Sequence, residues 1–162
     1  MPFSYRYFKP EIKKYFNDNI DASTKILDVG PGAGTYAKML SPKFKLDGLE
    51  IFEPYVSEYK LRELYRTIHV GDIRTFDASS YDYLIMGDVF EHLSETDANS
   101  ILTKFSSKKF LIAVPYMYKQ GKCYDNIHEI HLQPELTEDV MINGYGLKKL
   151  FGNDKYGYFI NY

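Results

Sequence analysis

The chain has a single cysteine, Cys123, so no disulfide can form within it, and a reducing compartment fits. Long apolar runs are missing. The longest, around Leu84–Met86 and Phe110–Val114, are of strand length and far too short to cross a membrane. The opening stretch Met1–Tyr7 lacks the apolar core of a signal peptide, and a cytoplasmic protein without membrane contact is expected. An excess of one charge is missing too: 20 basic residues stand against 22 acidic ones, for a net charge of −2. The Lys and Arg residues are scattered, which gives no electrostatic footprint for nucleic acid, although a local patch can hide in a neutral total. Tryptophan is absent and tyrosine unusually common, and neither fact points to a function. There is no internal repeat, low-complexity tract or linker. With 162 residues the chain has the size of one domain, and residues 1–162 are read as one.

What is present is an alternation of strand and helix patterns. Lys9–Ile20 reads as a helix with Ile12, Tyr15, Phe16 and Ile20 on one face. The aromatic cluster before it (Phe3, Tyr5, Tyr7, Phe8) is expected to pack rather than cover a cleft. Strands follow at Lys25–Val29, Lys45–Glu50, Arg66–Val70, Tyr83–Gly87 and Lys109–Val114. Helices are expected from Thr35, over Pro54–Leu64 and over Glu95–Phe105, the last capped by Ser94. Thr137 is placed to cap a helix ending near Gly144. Leu147–Phe151 and Tyr156–Tyr162 close the chain as two strands around Gly152-Asn153-Asp154. The fold class is therefore α/β: a doubly wound, Rossmann-like sheet of seven strands, mostly parallel, with an antiparallel last strand.

In such sheets a ligand sits beyond the carboxyl ends of the strands. Strand one ends in Asp28-Val29-Gly30-Pro31-Gly32-Ala33-Gly34. Glycines there let the backbone approach a ligand, and the helix that follows aims its free N–H groups at the same place. The dinucleotide fingerprint G-x-G-x-x-G would need glycine at position 35, where Thr35 stands, and the Gly-Lys-Ser/Thr ending of a phosphate-binding loop is lacking. Strand two ends in Glu50, spaced to reach a ribose diol, which a carboxylate can hold by both hydroxyls. Strand three ends in Gly71-Asp72-Ile73, which offers a carboxylate to a purine amino group and an apolar wall. Strand four ends in Gly87-Asp88-Val89-Phe90-Glu91-His92-Leu93, which brings acid–base groups to the same rim.

These four motifs in this order resemble a class I S-adenosylmethionine-dependent methyltransferase, of the small-molecule type that includes the ubiquinone-biosynthesis O-methyltransferases. The resemblance covers residues from about 25 to 115. It implies S-adenosyl-L-methionine as cofactor. It implies that Asp28 helps hold the amino end of the methionine part, that Gly30, Gly32 and Gly34 wrap its sugar and methionine, and that Glu50 binds the ribose. By the same resemblance Phe52 or a neighbour flanks the adenine, Asp72 and Ile73 meet its amino group and ring, Gly87 and Asp88 line the path to the sulfonium, and Val89 and Phe90 face the methyl. The chain lacks the Asn/Asp-Pro-Pro-Tyr/Phe motif of amino-methylating DNA enzymes, and no inserted cap domain is evident.

Substrate specificity is expected in the loop Pro115–Pro134, with Tyr116, Tyr118, Tyr124, His128, Glu129 and His131. His128 and His131 share a face if that piece is helical, and His92 is placed to come near them across the rim. Glu91, His92, His128 and His131 are the catalytic candidates. A base that deprotonates the acceptor, a divalent metal held by His and Glu, and simple loop packing all remain open, and no metal-ligand set is assigned. His128-Glu129-Ile130-His131 is not the H-E-x-x-H zinc motif. The reading is an enzyme that methylates a small-molecule acceptor on oxygen. A non-catalytic binding module and a nucleic-acid methyltransferase are the alternatives. Oligomeric state is open.

Overall fold

The structure, a computed structural model, describes residues 5–123 and 125–162. Of the residues named above, Phe3 and Tyr124 lie outside that range. Seven strands form one sheet in the order β3-β2-β1-β4-β5-β7-β6. They are β1 (Ile26–Val29), β2 (Asp47–Glu50), β3 (Thr67–Val70), β4 (Tyr83–Gly87), β5 (Lys109–Pro115), β6 (Lys148–Gly152) and β7 (Tyr156–Ile160). β1 to β5 pair in parallel, while β7 runs antiparallel to β5 and to β6. This is the expected Rossmann-like architecture.

All strands but the edge strands β3 and β6 are buried on both sides, and their alternation sorts the core into two clusters. Leu27, Val29, Leu84, Met86, Phe110 and Ile112 pack with Ala98 and Ile101 of α5 (Glu95–Lys104). Their neighbours Ile26, Ile85, Leu111 and Ala113 pack with Ile12 and Phe16 of α1 (Lys9–Asn19) and with Tyr36, Ala37 and Leu40 of α2 (Thr35–Leu40). The period of two along each strand sends successive side chains to opposite layers. Each fully buried aliphatic or aromatic side chain is worth about 1.5–3 kcal/mol, so both layers hold the sheet. Among the described residues, no helix is long and apolar enough to cross a membrane.

Several boundaries differ from the sequence reading. The helix expected over Pro54–Leu64 is two short ones, α3 (Glu53–Glu58) and α4 (Leu61–Leu64). Lys60 between them has φ 51°, a left-handed conformation that interrupts the helical hydrogen bonds. Ser94 caps α5 as expected, its Oγ accepting from the Asp97 N–H at 3.1 Å. Thr137 Oγ1 likewise accepts from the Val140 N–H, but the turn it opens widens into a π-type turn over Val140–Gly144. The positive φ falls at Gly146 rather than Gly144. Asn153 shapes the β6–β7 turn by accepting from the N–H groups of Lys155 and Tyr156. The aromatic cluster packs: Tyr5 and Tyr7 stack on each other and lie against Tyr156, and Phe8 lies against Phe151.

Candidate functional site

The carboxyl ends of β1, β2, β3 and β4 open into one cavity of about 400 Å³. Gly30, Gly32, Glu50, Asp72, Ile73, Gly87, Asp88, Val89, His92, His128 and Glu129 all line it, so eleven of the residues singled out from the sequence converge. The remaining candidates (Asp28, Gly34, Phe52, Glu91, His131) stand around it without forming its wall.

The glycine turn is shaped by what surrounds it. Gly30 has φ 63°, and a Cβ there would come within 2.5 Å of Val89. Only glycine combines that conformation with so close an approach of the β1 and β4 ends. Asp28, 1% exposed, lies beneath the turn and accepts a hydrogen bond from the Tyr65 hydroxyl through Oδ2, while its Oδ1 has no partner among the described residues. Burial pushes its carboxyl up to about 7, against the opposing effects of Tyr65 and Lys9. Gly34 caps α2 with its α-carbon toward Leu64.

Glu50 is 3% exposed and held from two sides. The backbone N–H of Phe52 donates to Oε1 at 2.9 Å, and that of Gly32 to Oε2 at 3.3 Å. One carboxylate therefore ties the end of β2 to the glycine turn. Burial raises it to about 6 although both N–H groups favour the charged form. Phe52 turns aside and meets Tyr55 edge to face, so Ile51 and Tyr55 rather than Phe52 form the wall next to Glu50. Asp72 lies at the far end. Arg74 grips it with its backbone N–H, Nε and Nη2. Burial acts to raise the Asp72 carboxyl, but the Arg74 hydrogen bonds outweigh it and hold the group below its ordinary value.

At the end of β4, a Cβ on Gly87 would lie 2.2 Å from the Tyr36 ring. Asp88 follows in a left-handed conformation, φ 57°, and its Oδ2 accepts from the Tyr156 hydroxyl at 2.8 Å. Val89 lines the cavity, whereas Phe90 turns into the core against Tyr145. Beneath this end the Lys9 ammonium is buried without a hydrogen bond among the described residues, 4.4 Å from the centre of the Tyr36 ring. Burial lowers it to about 8, against the pull of Asp88 and Asp28.

The loop after β5 folds over this end. The N–H groups of Leu132 and Gln133 both donate to the Glu91 carbonyl, at 2.9 and 3.0 Å. The Gln133 amide donates to the carbonyls of Phe90 and Leu93, and the Tyr145 hydroxyl donates to Gln133. Farther out, the Tyr55 hydroxyl donates to Glu129 at 3.1 Å and links the loop to α3. Among the described residues the helical piece here is a 3-10 turn at Ile127–Glu129, too short to place His128 and His131 on one face. His128 is exposed at the rim of the cavity. His131 instead meets His92 edge to face, with ring centroids 4.7 Å apart.

Sequence reasoning passed over Tyr55, Arg74, Asn126 and Ile127, which also line the cavity. Tyr55 and Arg74 follow closely on the strand-end acids Glu50 and Asp72, and that proximity was a usable signal. Asn126 and Ile127 reach the cavity only through the fold of the loop.

A family model described as a methyltransferase domain matches residues 27–106. The segment runs from β1 through α5 and contains every strand end that lines the cavity. No curated protein matches the chain in sequence. Solved structures share the fold. A S-adenosylmethionine-dependent methyltransferase from Clostridium acetobutylicum ATCC 824 is 12% identical with a TM-score of 0.70, over 98% of this chain and 91% of that one. The PH0226 protein from Pyrococcus horikoshii OT3 is 19% identical with a TM-score of 0.66, over 94% and 86%. The 1,6-didemethyltoxoflavin-N1-methyltransferase of Burkholderia thailandensis, solved with 1,6-didemethyltoxoflavin and S-adenosylhomocysteine, is 14% identical with a TM-score of 0.66, over 95% and 77%.

Proposed function

We propose that this chain is an S-adenosylmethionine-dependent methyltransferase whose acceptor is a small molecule methylated on oxygen. One observation carries the reading. A single cavity is lined at one end by Gly30, Gly32, Glu50 and Asp72 and at the other by Gly87, Asp88 and His92. The first set suits the cofactor. Glu50 takes the two ribose hydroxyls, Ile51, Tyr55 and Ile73 flank the adenine, and Asp72 meets its amino group. The turn Gly30–Gly34 wraps the methionine part, with Asp28 and Tyr65 fixing the turn from beneath. His128 belongs with this end of the rim.

The second set faces the acceptor. Gly87 and Asp88 line the approach to the sulfonium, and Glu91, His92 and His131 orient the acceptor hydroxyl. Its oxygen attacks the methyl carbon in line, the carbon–sulfur bond breaks, and the electron pair passes to sulfur. The sulfonium becomes a thioether, and the hydroxyl proton leaves to water at the mouth of the cavity. Because the cofactor is already activated, the protein chiefly supplies alignment and a site shielded from water. The ubiquinone-type O-methyltransferase resemblance and the small heteroaromatic bound by the toxoflavin enzyme both favour a small acceptor. A single-domain, cytoplasmic protein is consistent with the lone free thiol of Cys123.

Incubation with methyl-labelled S-adenosylmethionine and the low-mass fraction of a cell extract tests this. Label in a low-mass product whose methyl resonance is that of a methoxy group is the expected result. Label confined to protein or nucleic acid, or methyl on nitrogen, contradicts it.

A further inference from the structure

Glu91, His92 and His131 place one ligand atom each within 4.8 Å of one another, at the acceptor end of the cavity. Glu91 is 1% exposed, and its Oε2 has no hydrogen-bond partner among the described residues. A buried, unpartnered carboxylate oxygen is costly and needs a reason for being there. The two histidines are set in a matching way. His92 Nδ1 lies 3.1 Å from the Ile130 carbonyl, and His131 Nδ1 lies 2.7 Å from the Tyr118 carbonyl. A carbonyl can only accept, so in each ring Nδ1 carries the proton and Nε2 keeps its lone pair. Metal-ligating histidines are oriented by this same device, one nitrogen donating to a carbonyl so that the other is free for the ion.

We infer that Glu91, His92 and His131 bind a divalent first-row transition cation through one carboxylate oxygen and two imidazole Nε2 atoms. Two imidazoles and one carboxylate suit zinc, cobalt, iron or manganese, whereas magnesium and calcium prefer all-oxygen sets. The three ligands leave coordination positions open. Because His92 is on the cavity wall, an open position faces the space where the acceptor lies. There the cation binds the acceptor oxygen, lowers the pKa of its hydroxyl and holds it in line with the methyl group. The site is preassembled by the loop, because the Glu91 carbonyl receives the Leu132 and Gln133 N–H groups right beside the cluster. The role given to the cation, though not the site, rests on the acceptor reading proposed above.

The test uses the full chain stripped of metal and titrated with cobalt(II), read by its visible absorption. Binding that saturates at one equivalent is expected, displaced by zinc and not by excess magnesium. His131→Ala and Glu91→Gln should each weaken cobalt binding at least tenfold while S-adenosylhomocysteine affinity and melting temperature stay near the parent values. The metal-free parent should bind S-adenosylhomocysteine yet lose methyl transfer, and zinc or cobalt should restore it. Absence of saturable cobalt binding in folded protein that binds S-adenosylhomocysteine overturns the metal site and leaves the methyltransferase reading intact. Cobalt binding undiminished in both variants overturns the ligand assignment. Should one variant fail to fold, the other and the magnesium competition decide.

Discussion

His92 and His131, far apart in the chain, meet edge to face at 4.7 Å, each with its Nδ1 engaged by a backbone carbonyl. The first belongs to the turn after β4 and the second to the loop after β5. Their meeting depends on the backbone hydrogen bonds from Leu132 and Gln133 to Glu91.

Gln133 is therefore expected to be the anchor of that loop. Gln133→Ala removes its amide contacts with Phe90 and Leu93 and its acceptor for Tyr145. Loss of these partly buried bonds should cost about 1–3 kcal/mol in urea unfolding. Trypsin should cut sooner at the exposed Lys119 and Lys122. Unchanged cleavage would mean that the loop is held elsewhere.

Gly87 gives a second expectation. Gly87→Ala puts a methyl group 2.2 Å from the Tyr36 ring, which is itself buried. Either the ring or the end of β4 must move, at about 1–3 kcal/mol for overpacking. The denaturation midpoint should fall, and affinity for S-adenosylhomocysteine should fall with it. A variant as stable as the parent would show that Tyr36 yields freely.

Asp28 makes stability depend on pH. Its folded value, about 7, lies above the ordinary 3.8 because the carboxyl is buried. Between those values the folded state binds more protons than the unfolded state, so this group's contribution falls as pH rises. It is fully favourable below about 4, declines through the interval and levels off above 7. Asp28→Asn removes that decline. Its stability relative to the parent should rise by a few kcal/mol from pH 4 to pH 8, on the scale of about 1.4 kcal/mol for each pKa unit. A pH-independent difference in unfolding free energy would contradict a buried, titrating Asp28.

The sequence made the sheet readable because its signals are local. Apolar runs such as Tyr83–Met86 and Phe110–Val114 have strand length and β-branched or aromatic content, and Gly30, Glu50, Asp72 and Gly87 each follow such a run at its end. α5 was readable through Ser94, a cap that acts within one turn. The break at Lys60 was hidden, since nothing in Tyr59-Lys60-Leu61 announces a left-handed residue. Which loop histidine meets His92 was hidden as well. Spacing in the chain pointed instead to His128 with His131, and the short turn at Ile127–Glu129 does not align those two. Ile51 and Tyr55, rather than Phe52, line the wall because the first turn of α3 rotates Phe52 away, a matter of a single residue in register.

The central claim is that the cavity at Gly30, Glu50 and Asp72 holds S-adenosylmethionine. Calorimetric titration of S-adenosylhomocysteine into the parent and into Glu50→Ala tests it most directly, with the melting curve of each as the control for folding. One site per chain in the parent, and heats too small to fit in folded Glu50→Ala, is the result predicted. Equal affinity in the two proteins would contradict the account.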